Sequence, residues 1–326
     1  METANVNCIV RLRIDADGEG VRSVIFMQGC PLNCLWCCNP ETRFSDQFRT
    51  LTAPQLYHYI RKDIPYFVFS GGGVTFSGGE PLAQADFLIG FIRTYCRGFR
   101  ADIETSLYAP RETVERLIPL IDTWNVDVKV MDPEKHKAYT GVSNEQILSN
   151  LRLLARRVPA EKIIVTYPVI PGLNDAPEQV GAMVAFLKEI GVFRIELHPY
   201  RKWSEEKHRR FGRTALDIEP LLAQQEARIR SALTDAGFEL VCRSGVREKQ
   251  KCAYLKEIRR TICRTYDLPV EIAECTVTER CAGTCPRCEW ELETIGDQLD
   301  NLDDLDDPNN LSRKEFTHDQ MAKARR

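Results

Sequence analysis

The 326-residue sequence has no apolar run that approaches the roughly 20 residues a membrane-spanning helix requires. Its opening residues, METAN, are polar and do not resemble a secretory signal peptide. The charge is nearly balanced, because 44 Lys and Arg residues face 47 Asp and Glu residues and leave a net charge of −3. A protein that binds nucleic acid or a membrane surface usually carries a basic excess. We therefore expect a cytoplasmic protein that binds neither.

A disulfide framework is not expected either, although the chain contains 13 cysteines. The cytoplasm is reducing, and a chain of this length with 43% apolar residues can build a core without covalent cross-links. Clustered cysteines in such a protein are typical of metal ligands. Oxygen-sensitive metal clusters would in turn indicate a protein that works anaerobically.

Three of the cysteines, Cys30, Cys34 and Cys37, lie in the segment GCPLNCLWCCNPE at 29–41. With the spacing Cys-x3-Cys-x2-Cys, their thiolates can bind three irons of a cubane 4Fe-4S cluster and leave the fourth iron without a protein ligand. Such an open metal site can bind a substrate or cosubstrate. A zinc knuckle or a disulfide loop is the alternative. Zinc would need a fourth ligand, and the adjacent Cys38 is poorly placed to supply it.

Between residues 21 and 245, short β-rich segments alternate with amphipathic segments, which is typical of βα units and a parallel sheet. Six such units fit a partial, open (β/α)6 barrel of the TIM type, an α/β fold whose active groups collect at the C-terminal ends of the strands. The predicted strands are 21–28, 73–77, 101–105, 125–129, 162–169 and 193–199, and the predicted helices are 53–62, 84–95, 111–120, 144–156 and 177–190. A helix near 219–236 and a strand near 238–242 are expected to close this domain.

A second motif lies at the end of the strand at 73–77, where Gly78, Gly79 and Glu80 follow. Glycines at a strand end allow the backbone to approach a ligand closely, and Glu80 is placed to receive an ammonium group. An ordinary tight turn is the alternative for such a short motif.

Polar residues also end two of the next strands. Glu104 and Thr105 are candidates for hydrogen bonds to hydroxyl or amino groups, and an ordinary polar strand end is the alternative. Asp127 and Lys129 alternate with apolar residues, so both point to the same face of their strand. That face is expected to be the barrel interior, where each charge needs either a ligand or the other charge as its partner.

The cysteine spacing resembles the signature of the radical S-adenosylmethionine (radical SAM) enzymes, and the Gly-Gly-Glu motif resembles their segment that holds the amino group of SAM. Further segments resemble, in the same order, the glycyl-radical-enzyme activating enzymes, the family that includes pyruvate formate-lyase activating enzyme. Together the matches cover roughly residues 18–215. The segments are GEGVRSVIF at 18–26, CCNPET at 37–42, IET at 103–105, DVKVMD at 127–132, KHKAYTGVSN at 135–144 and PVIPGLND at 168–175.

This resemblance implies that Cys30, Cys34 and Cys37 hold a 4Fe-4S cluster whose open iron binds SAM. Reductive cleavage of SAM would give a 5′-deoxyadenosyl radical that abstracts hydrogen from a glycine of a partner glycyl radical enzyme. A reduced flavodoxin or ferredoxin would supply the electron, and Asp127 and Lys129 would lie close to SAM and the partner peptide. The residues implied in cofactor binding are Trp36, Gly78, Gly79, Glu80, Glu104, Thr105, Asp127, Lys129, His198 and Arg201.

The sequence departs from the family pattern at two positions. Thr166 stands where family members commonly have Arg, and Tyr200 and Arg201 stand where the family has a Tyr-His pair. His198 lies two residues before Tyr200, on the same side of an extended chain. The planar guanidinium of Arg201 would still suit a carboxylate.

Four further cysteines, Cys275, Cys281, Cys285 and Cys288, follow the barrel region. They can complete a second 4Fe-4S cluster or, as the alternative, a structural zinc site. Cys252 and Cys263 would then be ligands of a further site or spare buried thiols. We expect a barrel domain at 1–245, a cysteine-rich metal-binding region at 246–295 and a flexible charged tail at 296–326.

Two other functions remain open at this point. One is a radical SAM maturase that modifies a ribosomal peptide or a small molecule, because part of the C-terminal cysteine spacing is similar to that of auxiliary-cluster domains in such maturases. The other is a non-catalytic metal-binding or redox protein.

Overall fold

The computed structural model describes residues 2–14, 17–214, 216–241, 248–274 and 286–300. In these ranges nine strands form one sheet in the order β3-β1-β2-β4-β5-β6-β7-β8-β9. The strands are β1 Thr3–Ile14, β2 Val21–Met27, β3 Arg49–Thr52, β4 Gly73–Gly78, β5 Arg100–Thr105, β6 Thr123–Asp127, β7 Ile163–Val169, β8 Arg194–Pro199 and β9 Glu239–Leu240.

The sheet is parallel from β2 through β9, and β1 and β3 extend it as antiparallel edge strands. Because β3 and β9 are its two free edges, the sheet does not close. The predicted partial, open α/β barrel is therefore confirmed. The six predicted strands agree with the observed parallel strands to within a few residues at each end.

Strand β1 was not predicted, because two irregularities break its alternation. Its register with β2 shifts between Val6 and Cys8 and again between Val10 and Arg13, and Leu12 adopts a positive φ of 53°. Each bulge moves the following side chains to the other face of the sheet, so no regular period of two remains for sequence reasoning to detect.

Helices connect consecutive strands of the sheet, and two more follow its last strand. They are α1 Glu41–Phe44, α2 Ala53–Ile60, α3 Ile64–Ser70, α4 Ala85–Tyr95, α5 Arg111–Leu117, α6 Pro133–Thr140, α7 Glu145–Arg157, α8 Pro177–Glu189, α9 Glu205–Arg210, α10 Ala223–Asp235, α11 Glu248–Tyr266 and α12 Pro286–Asp300. Helix α3 was not predicted. It is rich in aromatic and branched residues and most of its side chains are buried, so it shows no amphipathic period.

Two helices follow the barrel in a region where the sequence shows weak periodicity. Ile258 and Ile262 of α11 and Ile295 and Leu299 of α12 are buried in the same apolar core as the barrel. Helix α12 continues past the predicted boundary at residue 295 because Leu299 is fully buried there. The domain boundaries themselves stay predictions.

The end of the barrel opposite the candidate site contains a buried charge pair. The Arg22 guanidinium is fully buried and lies 3.1 Å from the Asp102 carboxylate. Its Nε also donates to the Thr75 hydroxyl at 2.6 Å. This pairing lets two charges occupy the interior at the N-terminal ends of the strands.

No helix in the described ranges has the length and apolar character that crossing a membrane would need.

Candidate active site

The three cysteines lie on the loop that follows β2, at the C-terminal end of the barrel. The loop closes on itself, because the Gly29 amide donates to the Thr42 carbonyl at 2.6 Å. Cys30, Cys34 and Cys37 are all partly buried free cysteines. The loop places all three cysteines at the C-terminal rim of a parallel barrel, where such folds place their active groups.

The donor set fits an iron-sulfur cluster. No three His, Cys, Asp or Glu side chains among the described residues are gathered as ligands of a single metal ion would be. A cubane binds each thiolate through a different iron, so its ligands surround the cluster instead of meeting at a point. Three thiols on one loop can bind three irons of a cubane, whereas a mononuclear zinc ion would need a fourth ligand.

The surroundings of the loop hold the thiols in the protonated form when no metal is bound. Burial raises the pKa of Cys30 to about 12 and that of Cys34 to about 11. The Lys129 ammonium opposes the shift at Cys34. Metal binding must therefore displace protons from these thiols.

The Gly-Gly-Glu motif is joined to the cysteine loop through the backbone. The Gly79 amide donates to the Met27 carbonyl at 2.9 Å, and the Glu80 amide donates to the Gly29 carbonyl at 2.8 Å. A Cβ atom at Gly79 would lie 2.1 Å from the Gly29 carbonyl oxygen. The glycine is thus needed for the close approach of β4 to the loop, which is a contact that the sequence did not indicate.

The Glu80 side chain faces the next strand and is only 1% exposed. Its carboxylate accepts hydrogen bonds from the Thr105 hydroxyl at 2.5 Å, from the Ser106 hydroxyl and amide at 2.5 and 2.9 Å, and from the Leu82 amide at 3.1 Å. Burial raises the pKa of Glu80, and these hydrogen bonds oppose the shift. The side chains of Glu80 and Thr105 therefore tie β4 to β5, and contact of either with an amino group stays a prediction.

Polar residues line the interior face next to the loop. The Ser77 hydroxyl donates to the Glu104 carboxylate at 2.6 Å. Asp127 is paired in register with Thr166, and Thr166 with Glu196. Residues paired between adjacent parallel strands lie on the same face of the sheet. We call Ser77, Glu104, Asp127, Thr166, Glu196 and His198 the interior polar row.

Asp127 and Lys129 form an ion pair of 2.6 Å within this interior. Lys129 is 9% exposed, whereas the Asp127 side chain is 36% exposed. Burial alone would lower the pKa of Lys129, but the Asp127 carboxylate outweighs it and raises that pKa. The structure therefore places a permanent positive charge next to the cysteine loop.

His198 lies at the end of β8, and its Nε2 is 3.0 Å from the Glu196 carboxylate. Burial alone would lower the pKa of His198, but Glu196, with Asp127 and Glu104, raises it. Arg201 follows the strand and is exposed. The predicted contacts of His198 and Arg201 with SAM stay predictions.

Trp36, a residue of the cysteine loop, has a buried side chain. It is 5% exposed and forms an apolar cluster with Val130, Ile170 and Tyr200. Its ring meets Tyr139 edge to face at a centroid distance of 6.3 Å. Trp36 thus anchors the cysteine loop to the rest of the protein through apolar contacts. Its predicted contact with the cofactor is untested.

Sequence reasoning missed the residues that cover the loop from α9. The His208 Nε2 atom lies 2.8 Å from the Cys37 carbonyl oxygen, and the Lys207 ammonium donates to the Cys38 carbonyl at 3.1 Å. Arg213 donates to the Cys34 carbonyl at 3.5 Å. The only sequence signal was the basic run KHRR at 207–210, which gave no hint of its target.

Of the C-terminal cysteines, Cys275, Cys281 and Cys285 lie outside the described residues. Cys288 lies in the first turn of α12 and interacts with the Arg259 guanidinium. The predicted second metal site is therefore untested.

Comparison with known proteins settles the family. The sequence model of the radical SAM superfamily matches residues 24–187, about half of the chain. The chain belongs to the radical SAM superfamily. As a member, it uses a 4Fe-4S cluster and SAM, as predicted, and the assignment of Cys30, Cys34 and Cys37 as the cluster ligands stays a prediction.

Curated relatives narrow the type of this radical SAM enzyme. The isethionate sulfite-lyase activating enzyme of Oleidesulfovibrio alaskensis is 30% identical over 64% of this chain and 87% of its own length. The (2S)-3-sulfopropanediol dehydratase activating enzyme of Klebsiella oxytoca is 32% identical over 60% of this chain and 82% of its own length. The enzyme is thus of the glycyl-radical-enzyme activating type, as predicted.

A solved structure supports the fold of this radical SAM enzyme. Streptococcus suis SuiB, in the structure with its precursor peptide SuiA, aligns with a TM-score of 0.52 and 17% identity. The alignment covers 67% of this chain and 47% of SuiB. At this identity the likeness shows a common fold alone.

Proposed function

We propose that this enzyme cleaves SAM at a cluster held by Cys30, Cys34 and Cys37 and abstracts hydrogen from a backbone glycine of a partner glycyl radical enzyme. When bound, the reduced cluster supplies one electron to SAM, which yields methionine and a 5′-deoxyadenosyl radical. That radical takes the glycine hydrogen atom, so 5′-deoxyadenosine and a glycyl radical result. The observation that carries the proposal is the ion pair of Asp127, from the interior polar row, with Lys129, because both charges lie close to Cys34.

The chain's own residues suit the recognition of SAM. The Lys129 ammonium is held next to the loop by Asp127 and is suited to a carboxylate. The partly exposed Asp127 carboxylate is suited to an amino group, and Glu104, which accepts from Ser77, is suited to a ribose hydroxyl. The protein thus supplies orientation and exclusion of water, while SAM supplies the radical chemistry.

The test uses the full chain, reconstituted anaerobically with iron and sulfide. We expect methionine and 5′-deoxyadenosine in equal amounts from SAM plus reductant, and neither product from Cys34→Ala, which loses a cluster ligand. Cys96→Ala is the matched control, because Cys96 follows the C-terminal end of α4 near Arg22, at the end of the barrel opposite the cysteine loop, and its loss should leave turnover unchanged. Turnover of SAM without a glycyl radical on any candidate partner would instead favour a maturase.

We further propose that an acidic one-electron carrier, a flavodoxin or a ferredoxin, reduces the cluster from a cleft beside Cys30. The cleft has a volume of about 410 Å³. Its lining is Gly29, Cys30, Pro31, Leu82, Ala83, Tyr108, Ala109, Pro110 and Gln146. These residues are mostly apolar and none belongs to the interior polar row. A carrier docked in this cleft would approach Cys30, a proposed cluster ligand, and would leave the interior polar row free for SAM.

A cationic surface adjoins this cleft. Arg111 follows Pro110 and lines a second cleft of about 290 Å³ together with Arg152, Arg156 and Arg157. Gln146 of the first cleft and Ser149 of the second lie three residues apart on α7, and therefore on neighbouring positions of one helix face. An arginine surface next to an apolar cleft complements a carrier that is acidic around its cofactor.

The charge-reversal pair Arg156→Glu with Arg157→Glu tests this docking. We expect slower cluster reduction by reduced flavodoxin and a weaker dependence of that rate on salt. Reduction by photoreduced 5-deazaflavin should not change, because that small molecule needs no docking surface. The matched control is Arg93→Glu with Arg228→Glu, which makes the same charge change on α4 and α10. Equal rates for both pairs would refute the docking surface.

We also propose that Cys275, Cys281, Cys285 and Cys288 bind a second 4Fe-4S cluster. Support comes from their number and spacing, since four thiolates complete the ligand set of one cubane. The quadruple alanine variant should lose about four irons per chain and no zinc. Loss of one zinc per chain at unchanged iron would show the alternative site.

A further inference from the structure

Helix α9 and the turn after it direct three basic side chains at the backbone of the cysteine loop. His208 meets the Cys37 carbonyl at 2.8 Å, Lys207 the Cys38 carbonyl at 3.1 Å and Arg213 the Cys34 carbonyl at 3.5 Å. Two of these carbonyls belong to candidate cluster ligands and the third to the residue that follows one. No other element in the described ranges directs this many basic side chains at the backbone of the loop.

These contacts belong to a packed interface between the α9 region on one side and the cysteine loop with α1 on the other. His208 is 2% exposed, so its imidazole is shielded from water. Lys207 also pairs with the Glu41 carboxylate at 2.6 Å. Arg213 binds the Asn33 side chain and lies over the Phe44 ring at 4.5 Å. Lys207 and Arg213 thus each make a second contact with the loop or with α1, which fixes their positions.

The contacts also join two distant parts of the open barrel. The cysteine loop follows β2, while α9 follows β8, and four strands lie between β2 and β8 in the sheet. His208 is 171 residues from Cys37 in the chain. Since the sheet does not close, α9 connects the two sides of the C-terminal rim that strand pairing leaves apart.

We propose that His208, Lys207 and Arg213 are positioning residues that fix the cysteine loop in its cluster-binding conformation by holding the carbonyl groups of Cys37, Cys38 and Cys34. This role rests on the proposed function of the three cysteines. A buried carbonyl without a donor would have to find water or another partner, so the loop would change conformation when the donor is lost. The two cationic side chains add a second effect, because positive charge near a cluster favours its reduced form.

The first test measures thiol reactivity in the metal-free chain. His208→Phe keeps an aromatic ring but removes the donor, whereas His208→Gln keeps an amide donor. We expect alkylation of Cys34 and Cys37 by iodoacetamide to be faster by about tenfold in His208→Phe, the range expected for loss of one buried hydrogen bond. His208→Gln should restore the slow rate. Arg209→Ala is the control on the same helix, because Arg209 pairs with Glu206 on the solvent side.

The second test measures the midpoint potential of the reconstituted cluster by EPR-monitored titration. Lys207→Met and Arg213→Met should each shift the potential to more negative values, and Arg209→Met should not. Unchanged thiol reactivity in His208→Phe, or equal potentials in all three methionine variants, would overturn the proposal. If His208→Phe does not fold, thiol reactivity is measured in Lys207→Met against Arg209→Met. The thiol measurement uses no cluster, so it stands even if the enzyme fails to cleave SAM.

Discussion

The Lys129 ammonium lies 2.6 Å from the Asp127 carboxylate, and the two differ strongly in exposure. Lys129 is almost fully buried, while a third of the Asp127 side chain reaches solvent. The pair therefore stabilises a charge that the interior would otherwise not accept, and it leaves the carboxylate accessible to a ligand.

Because the two side chains differ in exposure, we expect Asp127→Asn and Lys129→Met to lower the free energy of unfolding by different amounts. Asp127→Asn leaves a buried ammonium without its partner and should lower the free energy of unfolding by about 2 to 4 kcal/mol. Lys129→Met leaves a partly solvated carboxylate and should cost about 1 kcal/mol or less. Urea denaturation of the metal-free chain measures both values. A larger loss in Lys129→Met than in Asp127→Asn would contradict the role of Asp127 as the partner that stabilises Lys129.

Gly79 should not tolerate a side chain. Gly79→Ala places a Cβ 2.1 Å from the Gly29 carbonyl oxygen, so β4 and the cysteine loop must separate, at a cost of about 2 to 4 kcal/mol. The amount of iron that Gly79→Ala binds after reconstitution should fall together with its free energy of unfolding. Gly90→Ala is the control, because a Cβ there meets only the Glu2 side chain at 3.8 Å and α4 should gain about 0.4 to 1 kcal/mol. Normal stability and iron content in Gly79→Ala would rule out the tight backbone contact.

The pKa of His198 should depend on Glu196. In the native chain Glu196 raises this pKa above its ordinary value, so the pair stabilises the fold fully below the unfolded-state pKa and this contribution is lost as pH rises through the folded-state value. Glu196→Gln removes the nearest carboxylate, and the effect of burial should then lower the pKa of His198. An NMR titration of the imidazole measures the shift. An unchanged pKa in Glu196→Gln would show that Glu196 does not control His198.

Glu291 of α12 should hold α12 against α11. Its fully buried carboxylate binds Lys256 at 3.2 Å and Arg259 at 3.1 Å. Glu291→Gln leaves both cations with a neutral partner and should cost about 3 to 5 kcal/mol at pH 7. The exposed Glu289→Gln on the same helix should cost almost nothing.

The same variant predicts a pH dependence. Burial alone would raise the pKa of Glu291, but Lys256 and Arg259 outweigh it and lower that pKa. The stabilisation is therefore present above the unfolded-state pKa and is lost as pH falls through the lower folded-state value. The difference in unfolding free energy between native protein and Glu291→Gln should shrink at acidic pH. A difference that stays constant down to the acid unfolding of the chain would contradict an ionised Glu291.

The parallel strands were predictable because each buried strand is a short apolar run between turn residues, and the common face of Asp127 and Lys129 followed from their alternation with valines. The bulged β1 was not predictable, since its irregular register removes the period that identifies a strand. The direction of the Glu80 side chain could not be predicted from the sequence either, because it depends on hydrogen bonds from Thr105 and Ser106 at the end of the next strand.

The contact of α9 with the cysteine loop was the least predictable feature. His208 and Cys37 are 171 residues apart, and their contact follows from how far the open sheet curves between β2 and β8. No local pattern in the sequence predicts how strongly the sheet curves. Sequence reasoning identified the candidate cluster ligands and missed the basic side chains that contact the backbone of their loop.

The most direct test of the account uses a partner glycyl radical enzyme from the same genome, labelled with deuterium at its glycine Cα positions. The reconstituted enzyme is given SAM, a reductant and this partner under anaerobic conditions, and 5′-deoxyadenosine is analysed by mass spectrometry while the partner is examined by EPR. The account predicts one deuterium in 5′-deoxyadenosine for each glycyl radical formed. Cleavage of SAM with no deuterium transfer and no glycyl radical would contradict it.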